Sequence, residues 1–306
     1  MPCFHPMPAV RMGDGSVKFV SRNKAGVEGT LELPCGQCIG CRLERSRQWA
    51  MRCLHEASLY DHNSFITLTY DDAHLPAGGS LSYPDFQRFM KRLRKRVGSK
   101  VRFYAGGEYG EQGTIRPHFH ACLFGYDFPD KIFYKKSSSG ESIYTSKLLE
   151  SLWPYGLSSI GDVTFQSAAY IARYCVAKRT GDAAKEWYAC DEFVDESGEI
   201  RTSVTPEFNR MSLKPGIGSR WLEKFQTDVY PRDYVVINGV KVKPPKYYDI
   251  LFERENPGVF SDIVAGRELD MANLVKRDHL EFWPDRMSVK ERVKLAQSSQ
   301  LKRNFS

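Results

Sequence analysis

No apolar run in this chain of 306 residues approaches the roughly 18 residues that a membrane-spanning helix needs. The first residues also lack the basic-then-apolar pattern of a secretory leader. Both absences point to a reducing cytoplasm, where the eight cysteines are poor candidates for disulfides. A glycine–lysine phosphate loop is missing, so no helicase motif is present and strand separation would fall to a partner. Charge of one sign is not in great excess. With 44 basic and 37 acidic residues the net charge is +7, too little to establish nucleic-acid binding by itself. A hydrophobic content of 42% and a charged content of 26% describe a globular chain, long enough for one domain with extensions or two small ones. Histidine is scarce, with seven in all, which gives weight to any two that fall close together.

Two do, in Arg116-Pro117-His118-Phe119-His120-Ala121-Cys122-Leu123-Phe124-Gly125. The stretch reads as a β-strand that begins just after a proline. Residues 118, 120, 122 and 124 then point to one face, and 119, 121 and 123 to the other. Two imidazoles side by side on one surface can share a metal ion. The plainer alternative is an exposed histidine pair on a half-buried strand. Val101–Gly106 reads as a second strand, ended by a turn at Gly107–Gly110. If the two strands are antiparallel neighbours, a short connection brings the carboxylate of Glu108 beside His118 and His120. Two histidines and a carboxylate suit Mg²⁺ or Mn²⁺, with positions left open for water and phosphate. As a surface turn residue, Glu108 would do nothing of the kind.

Cys35-Gly-Gln-Cys38-Ile-Gly-Cys41 places three cysteines in seven residues, with glycines that allow tight turns. Tetrahedral Zn²⁺ needs four ligands. Cys3 is the natural fourth and His5 its substitute; an iron–sulfur cluster or free thiols in a turn are the alternatives. A helix over about 39–60 follows, carrying Arg42 and Arg45. Asn63–Tyr70 reads as a strand, and the aspartates after it as turn formers. Ser82 is placed to cap a helix running to Val97. Its apolar face is Phe86, Phe89, Met90, Leu93 and Val97, and Lys91, Arg92, Arg94 and Lys95 cover the rest. These cations suit a phosphate backbone, although a solvated face on a core helix accounts for part of them. The acidic residues collect elsewhere, around Asp191–Glu199.

Residues 126–165 are less regular, with a short helix near 146–152 and a strand over 160–165. The stretch Gln166–Lys178 reads as a helix. Tyr170 and Tyr174 are four apart, so their hydroxyls share a face, which Lys178 extends by a turn. Tyrosines at this spacing are commonly core residues. Beside a metal they have another use, since a phenol can attack a DNA phosphodiester when a metal withdraws charge from the phosphate oxygens. A second tyrosine can attack a second strand while the first stays linked. Lys178 would stabilise the developing charge. An acidic excursion follows at 179–205. Lys214 and Arg220 flank a Gly-rich turn and are candidate phosphate contacts. Asn238-Gly239 marks a hairpin, and 246–306 is helical and polar, an extension that could add DNA contacts or bind a host helicase. The domain reading is 1–60 as a cysteine-rich segment with a basic helix, 61–245 as the catalytic domain with an insertion at about 179–205, and 246–306 as the extension.

These motifs resemble the HUH endonucleases. Residues 118–120 match their His-hydrophobic-His motif, 170–178 their tyrosine helix in its two-tyrosine form, and 65–70 their first motif. The Pro34–Arg42 run and Pro117–His120 are similar to replication initiation proteins of gokushovirus-type microviruses, over roughly residues 1–250. The resemblance implies an α+β fold, with a central antiparallel sheet of about five strands flanked by helices. It implies a nickase and strand transferase that opens and closes rolling-circle replication of a small circular phage genome. Glu108, His118 and His120 would hold the metal, and Tyr170 and Tyr174 would attack in turn, through a covalent 5′-phosphotyrosine. Partners would be single-stranded origin DNA, the replicative form, and host helicase and polymerase, in the host bacterial cytoplasm. The cysteine run and the segment after Lys178 depart from the plainest pattern. A zinc-stabilised DNA-binding protein without catalysis, or a plasmid or mobile-element relaxase or transposase of the same chemistry, are the competing readings.

Overall fold

The computed structural model describes residues 3–14, 16–21, 30–98, 100–110, 116–137, 139–177, 193–194, 200–201 and 204–299. The chain forms two compact units, one from residues 1–45 and 256–302, the other chiefly from 46–255.

The first unit holds a three-stranded antiparallel sheet of β1 (Met7–Arg11), β2 (Val17–Phe19) and β3 (Thr30–Leu33), in the order β2-β1-β3. It also holds the start of α1 (Ile39–Ala57) and the helices Pro257–Arg277 and Pro284–Ser299. Phe4, Cys38 and Met287 form a small buried cluster, against which Cys3, Cys35, Ile39 and Cys41 pack.

The second unit is built on β4 (Asn63–Thr69), α2 (Tyr83–Val97), β5 (Arg102–Tyr109) and β6 (Pro117–Phe124). There follow β7 (Ile132–Lys136), β8 (Ser142–Thr145), α3 (Lys147–Leu152), β9 (Ser158–Gly161) and α4 (Phe165–Ala177). A two-residue ladder pairs β10 (Phe193–Val194) with β11 (Ile200–Arg201), and most of the 179–205 excursion lies outside the described residues. The unit continues with β12 (Phe208–Met211), the helix Ser219–Val229, the hairpin β13 (Val235–Ile237) and β14 (Val240–Val242), and the helix Lys246–Glu255. In that hairpin Asn238 and Gly239 both have positive φ, as a two-residue turn of this type demands.

The fold is α+β, with a central antiparallel sheet flanked by helices, an N-terminal cysteine cluster and a helical C-terminal extension. The sheet has seven strands, ordered β12-β5-β6-β4-β9-β8-β7, against an expectation of about five. The hairpin β7–β8 was hidden because Ile132, Phe133 and Tyr134 are all exposed on an edge strand, so the alternation that betrays a half-buried strand is absent.

Both faces of the sheet are covered. Phe119, Ala121 and Leu123 of β6 join Ile66 and Leu68 of β4 in one core with Phe86, Phe89, Met90 and Leu93 of α2 and Leu149 and Leu152 of α3. The other face of β6, with Cys122 and Phe124, packs with Phe65 under Ala50, Cys53 and Ala57 of α1 and Ala168, Ile171 and Ala172 of α4. Helix α2 begins at Tyr83 with a proline in its first turn, and Ser82 makes no side-chain cap bond. The fixed φ of proline does that work instead. The strand expected over 160–165 ends at Gly161. Thr164 caps α4 reciprocally with Ser167: Ser167 N–H donates to Thr164 Oγ1 at 3.1 Å and Thr164 N–H to Ser167 Oγ at 2.8 Å.

Candidate active site

Register builds the site. β5 and β6 pair antiparallel with Glu108 opposite His118 and Gly106 opposite His120, while β4 places Thr67 opposite His120 and Thr69 opposite His118. Directly paired residues share a face, so the carboxylate stands beside the imidazoles without any loop. A turn residue would be exposed, yet Glu108 lies inside β5 at 2% exposure. The turn expected over Gly107–Gly110 is not there, and the adjacent glycines Gly106 and Gly107 have a steric role within the strand. A Cβ on Gly106 would lie 3.1 Å from Ile171 Cγ2, and one on Gly107 would lie 3.0 Å from Phe208 Cζ and 3.1 Å from Leu81 Cδ2. The glycines let α4 and the aromatic core approach the strand closely.

Glu108 Oε1 is 2.6 Å from His118 Nε2 and 3.0 Å from His120 Nε2. The far nitrogens are held as well. His118 Nδ1 donates to the Arg116 carbonyl at 3.0 Å, and His120 Nδ1 is 2.9 Å from Thr67 Oγ1. Both rings therefore turn Nε2 toward the carboxylate. Phe65 stacks on His120 with centroids 5.6 Å apart.

Burial pushes the Glu108 carboxyl up, but the two imidazoles beside it prevail and hold it below its ordinary value. Burial pulls His118 down, and the bond and charge of Glu108 more than offset it, so His118 ends raised. In His120 burial wins and the ring is held toward its neutral form. Glu108 Oε2 is buried and has no hydrogen-bond partner among the described residues, an arrangement that costs about 1–3 kcal/mol or more when nothing compensates it. The three ligand atoms lie within 4.8 Å of one another. Two imidazole nitrogens and a carboxylate with a spare oxygen fit a divalent cation, which would bind that oxygen and take the place of the proton between Glu108 and His118.

Helix α4 brings Tyr170 to the same place. Its ring meets His120 edge-on at 5.0 Å and its hydroxyl donates to Glu108 Oε1 at 3.5 Å. The helix is tied down from two sides: Ser46 Oγ of α1 donates to the Ala169 carbonyl at 3.0 Å, and Asn209 Nδ2 of β12 donates to the Ile171 carbonyl at 3.3 Å. Tyr174 follows one turn along α4; its side chain and the whole of Lys178 lie outside the described residues.

A second cluster lies in the first unit. The sulfurs of Cys3, Cys35, Cys38 and Cys41 all fall within 4.8 Å of one another, and Cys3 Sγ is 3.8 Å from Cys38 Sγ. Backbone amides point at them: Phe4 N–H donates to Cys38 Sγ at 3.4 Å, Cys35 N–H to Cys3 Sγ at 3.2 Å, and Cys38 N–H to Cys35 Sγ at 3.3 Å. Burial pushes the Cys35 thiol up, but the amides of Cys38 and Gln37 outweigh it and bring it down to about 7. His5 is no substitute ligand; it is paired with Glu291 at 2.6 Å. Four cysteine sulfurs with amide donors suit a soft cation, whose binding would take up the thiolate forms.

The cations proposed for DNA are dispersed. Lys91, Arg92, Arg94 and Lys95 lie on α2, across the sheet from the histidines. Arg92 donates to the Leu152 carbonyl at 2.8 Å and Arg94 to the Val101 carbonyl at 2.9 Å, so these two fasten the fold. Lys214 and Arg220 are exposed near the Arg102 end of β5, about 17–20 Å of strand from Glu108. Arg42 and Arg45 are on the part of α1 in the first unit, where Arg45 donates to the Gly36 carbonyl at 3.4 Å. Sequence reasoning missed Thr67, Gly106 and Asn209. Only Thr67 left a signal there, as an alternate residue of a strand already suspected to neighbour the histidines.

Comparison with known proteins identifies the family. Residues 63–179, which carry Glu108, both histidines and Tyr170, match the family model described as Replication-associated protein ORF2/G2P. The chain is 31% identical over 285 residues to Replication-associated protein VP4 of Bdellovibrio phage phiMH2K, covering 90% of this chain and 85% of that one. It is 35% identical over 237 residues to Replication-associated protein ORF2 of Spiroplasma virus 4, covering 73% and 68%. With Replication-associated protein ORF4 of Chlamydia phage 1 it shares 27% identity over 230 residues, covering 72% and 54%. No solved structure matches. With its histidine–carboxylate cluster inside the matched segment and two relatives aligned over most of their length, the chain belongs to the family of phage replication-associated proteins.

Proposed function

We propose that the protein is a site-specific nickase and strand transferase for single-stranded DNA that starts and ends rolling-circle replication of a small circular phage genome. The observation that carries this reading is Tyr170 on the histidine–carboxylate cluster, with its ring against His120 and its hydroxyl 3.5 Å from Glu108. A phenol oxygen beside a cation site supports a reading in which it attacks phosphorus. A new P–O bond forms to Tyr170 as the P–O3′ bond breaks. The phenol proton leaves toward the acceptor side of the site, and the 3′ oxygen takes up a proton. The 5′ end stays on the protein as a phosphotyrosine, and the 3′ hydroxyl is free for a host polymerase. Mg²⁺ or Mn²⁺ held by Glu108, His118 and His120 would withdraw charge from the phosphate oxygens. Thr67 and the Arg116 carbonyl orient the two rings, and α4 aims the tyrosine. Tyr174, one turn on, serves as the second nucleophile when the circle is closed, and Lys178 steadies charge on the phosphate.

For the cysteine cluster we assign structural Zn²⁺. Zn–S bonds of about 2.3 Å in a tetrahedron separate the sulfurs by about 3.8 Å, the spacing of Cys3 and Cys38. The setting would be the cytoplasm of an infected bacterium, with a host helicase separating the strands.

The test is covalent capture. Single-stranded DNA carrying the origin of the parent replicon is incubated with the full chain and Mn²⁺, and adducts are resolved on denaturing gels. Adducts are expected from the wild type and not from the Tyr170→Phe, Tyr174→Phe double variant. Their absence from the wild type refutes the enzyme reading, and their survival in the double variant refutes the nucleophile assignment. Metal analysis of the purified chain is expected to find zinc that is lost in Cys38→Ser.

A further inference from the structure

The outermost strand of the central sheet is β7, whose far edge pairs with no strand among the described residues. All five of its residues are exposed. Three of them are large and apolar: Ile132 at 66%, Phe133 at 54% and Tyr134 at 63% exposure. An exposed apolar edge is a hazard that proteins ordinarily cover or charge. Here it is charged. Lys135 and Lys136 follow at once, both exposed and neither paired with a carboxylate among the described residues. Lys135 Nζ stands 5.7 Å from the centre of the Tyr134 ring, and Phe133 meets Tyr144 edge-on at 6.0 Å.

A β-strand of a second copy and a single strand of DNA both fit such an edge in principle, and the edge itself selects between them. An added β-strand needs a regular row of free amides and carbonyls. β7 instead breaks register with β8 between Phe133 and Lys135, and bulges and lysines are devices that keep edges from pairing. Single-stranded DNA needs no regular edge. It needs aromatic faces on which bases stack and cations for the phosphates, and residues 133–136 supply both.

Register carries the histidine face out to this edge. Thr67 pairs with His120 on one side and Ser159 on the other. Tyr144 pairs with Ile160, so its neighbour Ile143 shares the face of Ser159. Ile143 in turn pairs with Lys135, which places Lys135 on the side of the sheet that carries His120. Four strand spacings separate β6 from β7, about 19 Å in all and the rise of about six stacked nucleotides.

We infer that β7 is a stacking and phosphate-binding platform for single-stranded DNA, which holds the strand a few nucleotides away from the part that crosses the His118–His120 site. The inference rests on the reading of the protein as one that acts on single-stranded DNA.

The test uses the full chain and a fluorescent single-stranded DNA of about 30 nucleotides, with affinity read by anisotropy without added Mn²⁺. The Phe133→Ala, Tyr134→Ala double variant is expected to bind about tenfold more weakly, on the scale of lost base stacking. Phe133→Trp, Tyr134→Trp keeps the affinity, which separates stacking from damage to the fold. Lys135→Ala, Lys136→Ala lowers the slope of log affinity against log salt by about 1.4, two phosphates at about 0.7 each. DNA carrying 5-iododeoxyuridine, irradiated on the wild type, is expected to cross-link to Phe133 or Tyr134. Unchanged affinity in the alanine variant overturns the inference, as does a tryptophan variant as weak as the alanine one, or a cross-link confined to other elements. A wild-type dimer in sedimentation that the alanine variant loses, with DNA affinity unchanged, overturns it in favour of a second copy. A parallel arm with Mn²⁺ reads covalent adducts. If none form while the affinity differences hold, the nicking function fails and the platform stands; if they form while the alanine variant binds as the wild type does, the reverse is true.

Discussion

Thr67 Oγ1 and His120 Nδ1 lie 2.9 Å apart in the buried interior of the sheet, on adjacent strands. The bond sets which nitrogen of His120 faces Glu108. A partner of this kind is worth about 10–100-fold in metal affinity. Thr67→Val is therefore expected to weaken Mn²⁺ binding by that factor in titration calorimetry, while Thr67→Ser keeps most of it. Equal affinity in the valine variant would show that the ring is held by packing against Phe65 alone.

Gly106 controls how closely α4 approaches β5. In Gly106→Ala the added Cβ meets Ile171 Cγ2 at 3.1 Å, so the helix must give way by a few tenths of an ångström. Overpacking of this sort costs about 1–3 kcal/mol. A displaced nucleophile loses up to about 100-fold in rate. Adduct formation should fall by about ten- to 100-fold with Mn²⁺ affinity unchanged, because the ligands sit on β5 and β6. A parallel loss of metal binding would place the damage in the strand instead.

Glu56 and Arg102 form a buried ion pair at 2.6 Å, and Glu56 Oε2 also accepts from Gly218 N–H at 2.8 Å. Glu56→Gln leaves the Arg102 charge buried without its partner. The expected loss in urea unfolding is about 3–5 kcal/mol. A loss under 1 kcal/mol would mean that the Pro215 carbonyl, which Arg102 also meets at 2.7 Å, satisfies it alone (on the order of a surface pair).

His55 stacks on Trp221 at 3.6 Å between ring centroids and meets Tyr248 Oη at 2.9 Å. Burial brings it down to about 4, below the roughly 6.5 of an unfolded chain. Between those values the unfolded chain binds a proton that the folded one does not. Stability is thus full above about pH 6.5, falls as pH drops toward 4, and loses roughly 3 kcal/mol from this group. Trp fluorescence during urea unfolding at a series of pH values should show that fall, flattened in His55→Phe. An unchanged pH profile in the variant would assign the loss to other groups.

The histidine face was legible because a two-residue period is a local property of the backbone, and Phe119, Ala121 and Leu123 do anchor it from behind. The identity of Glu108 as their neighbour was also within reach, but not its place in a strand. Paired glycines signal a turn unless one knows what packs against them. The basic helix was read as one surface. Nothing local says that Arg92 and Arg94 close on backbone carbonyls, or that α2 covers the face away from the histidines.

Sequence alone determined which residues are set side by side within single elements. His118 and His120 share one face of a strand, Tyr170 and Tyr174 follow a helical turn apart, and three cysteines fall in one short run. Spacing along one element depends only on the geometry of that element. Tertiary structure decided the rest: Glu108 opposite His118, Cys3 as the fourth sulfur, and α4 rather than α2 over the histidines. Strand register and the choice of covering helix depend on packing between residues far apart in the chain, which no local pattern encodes.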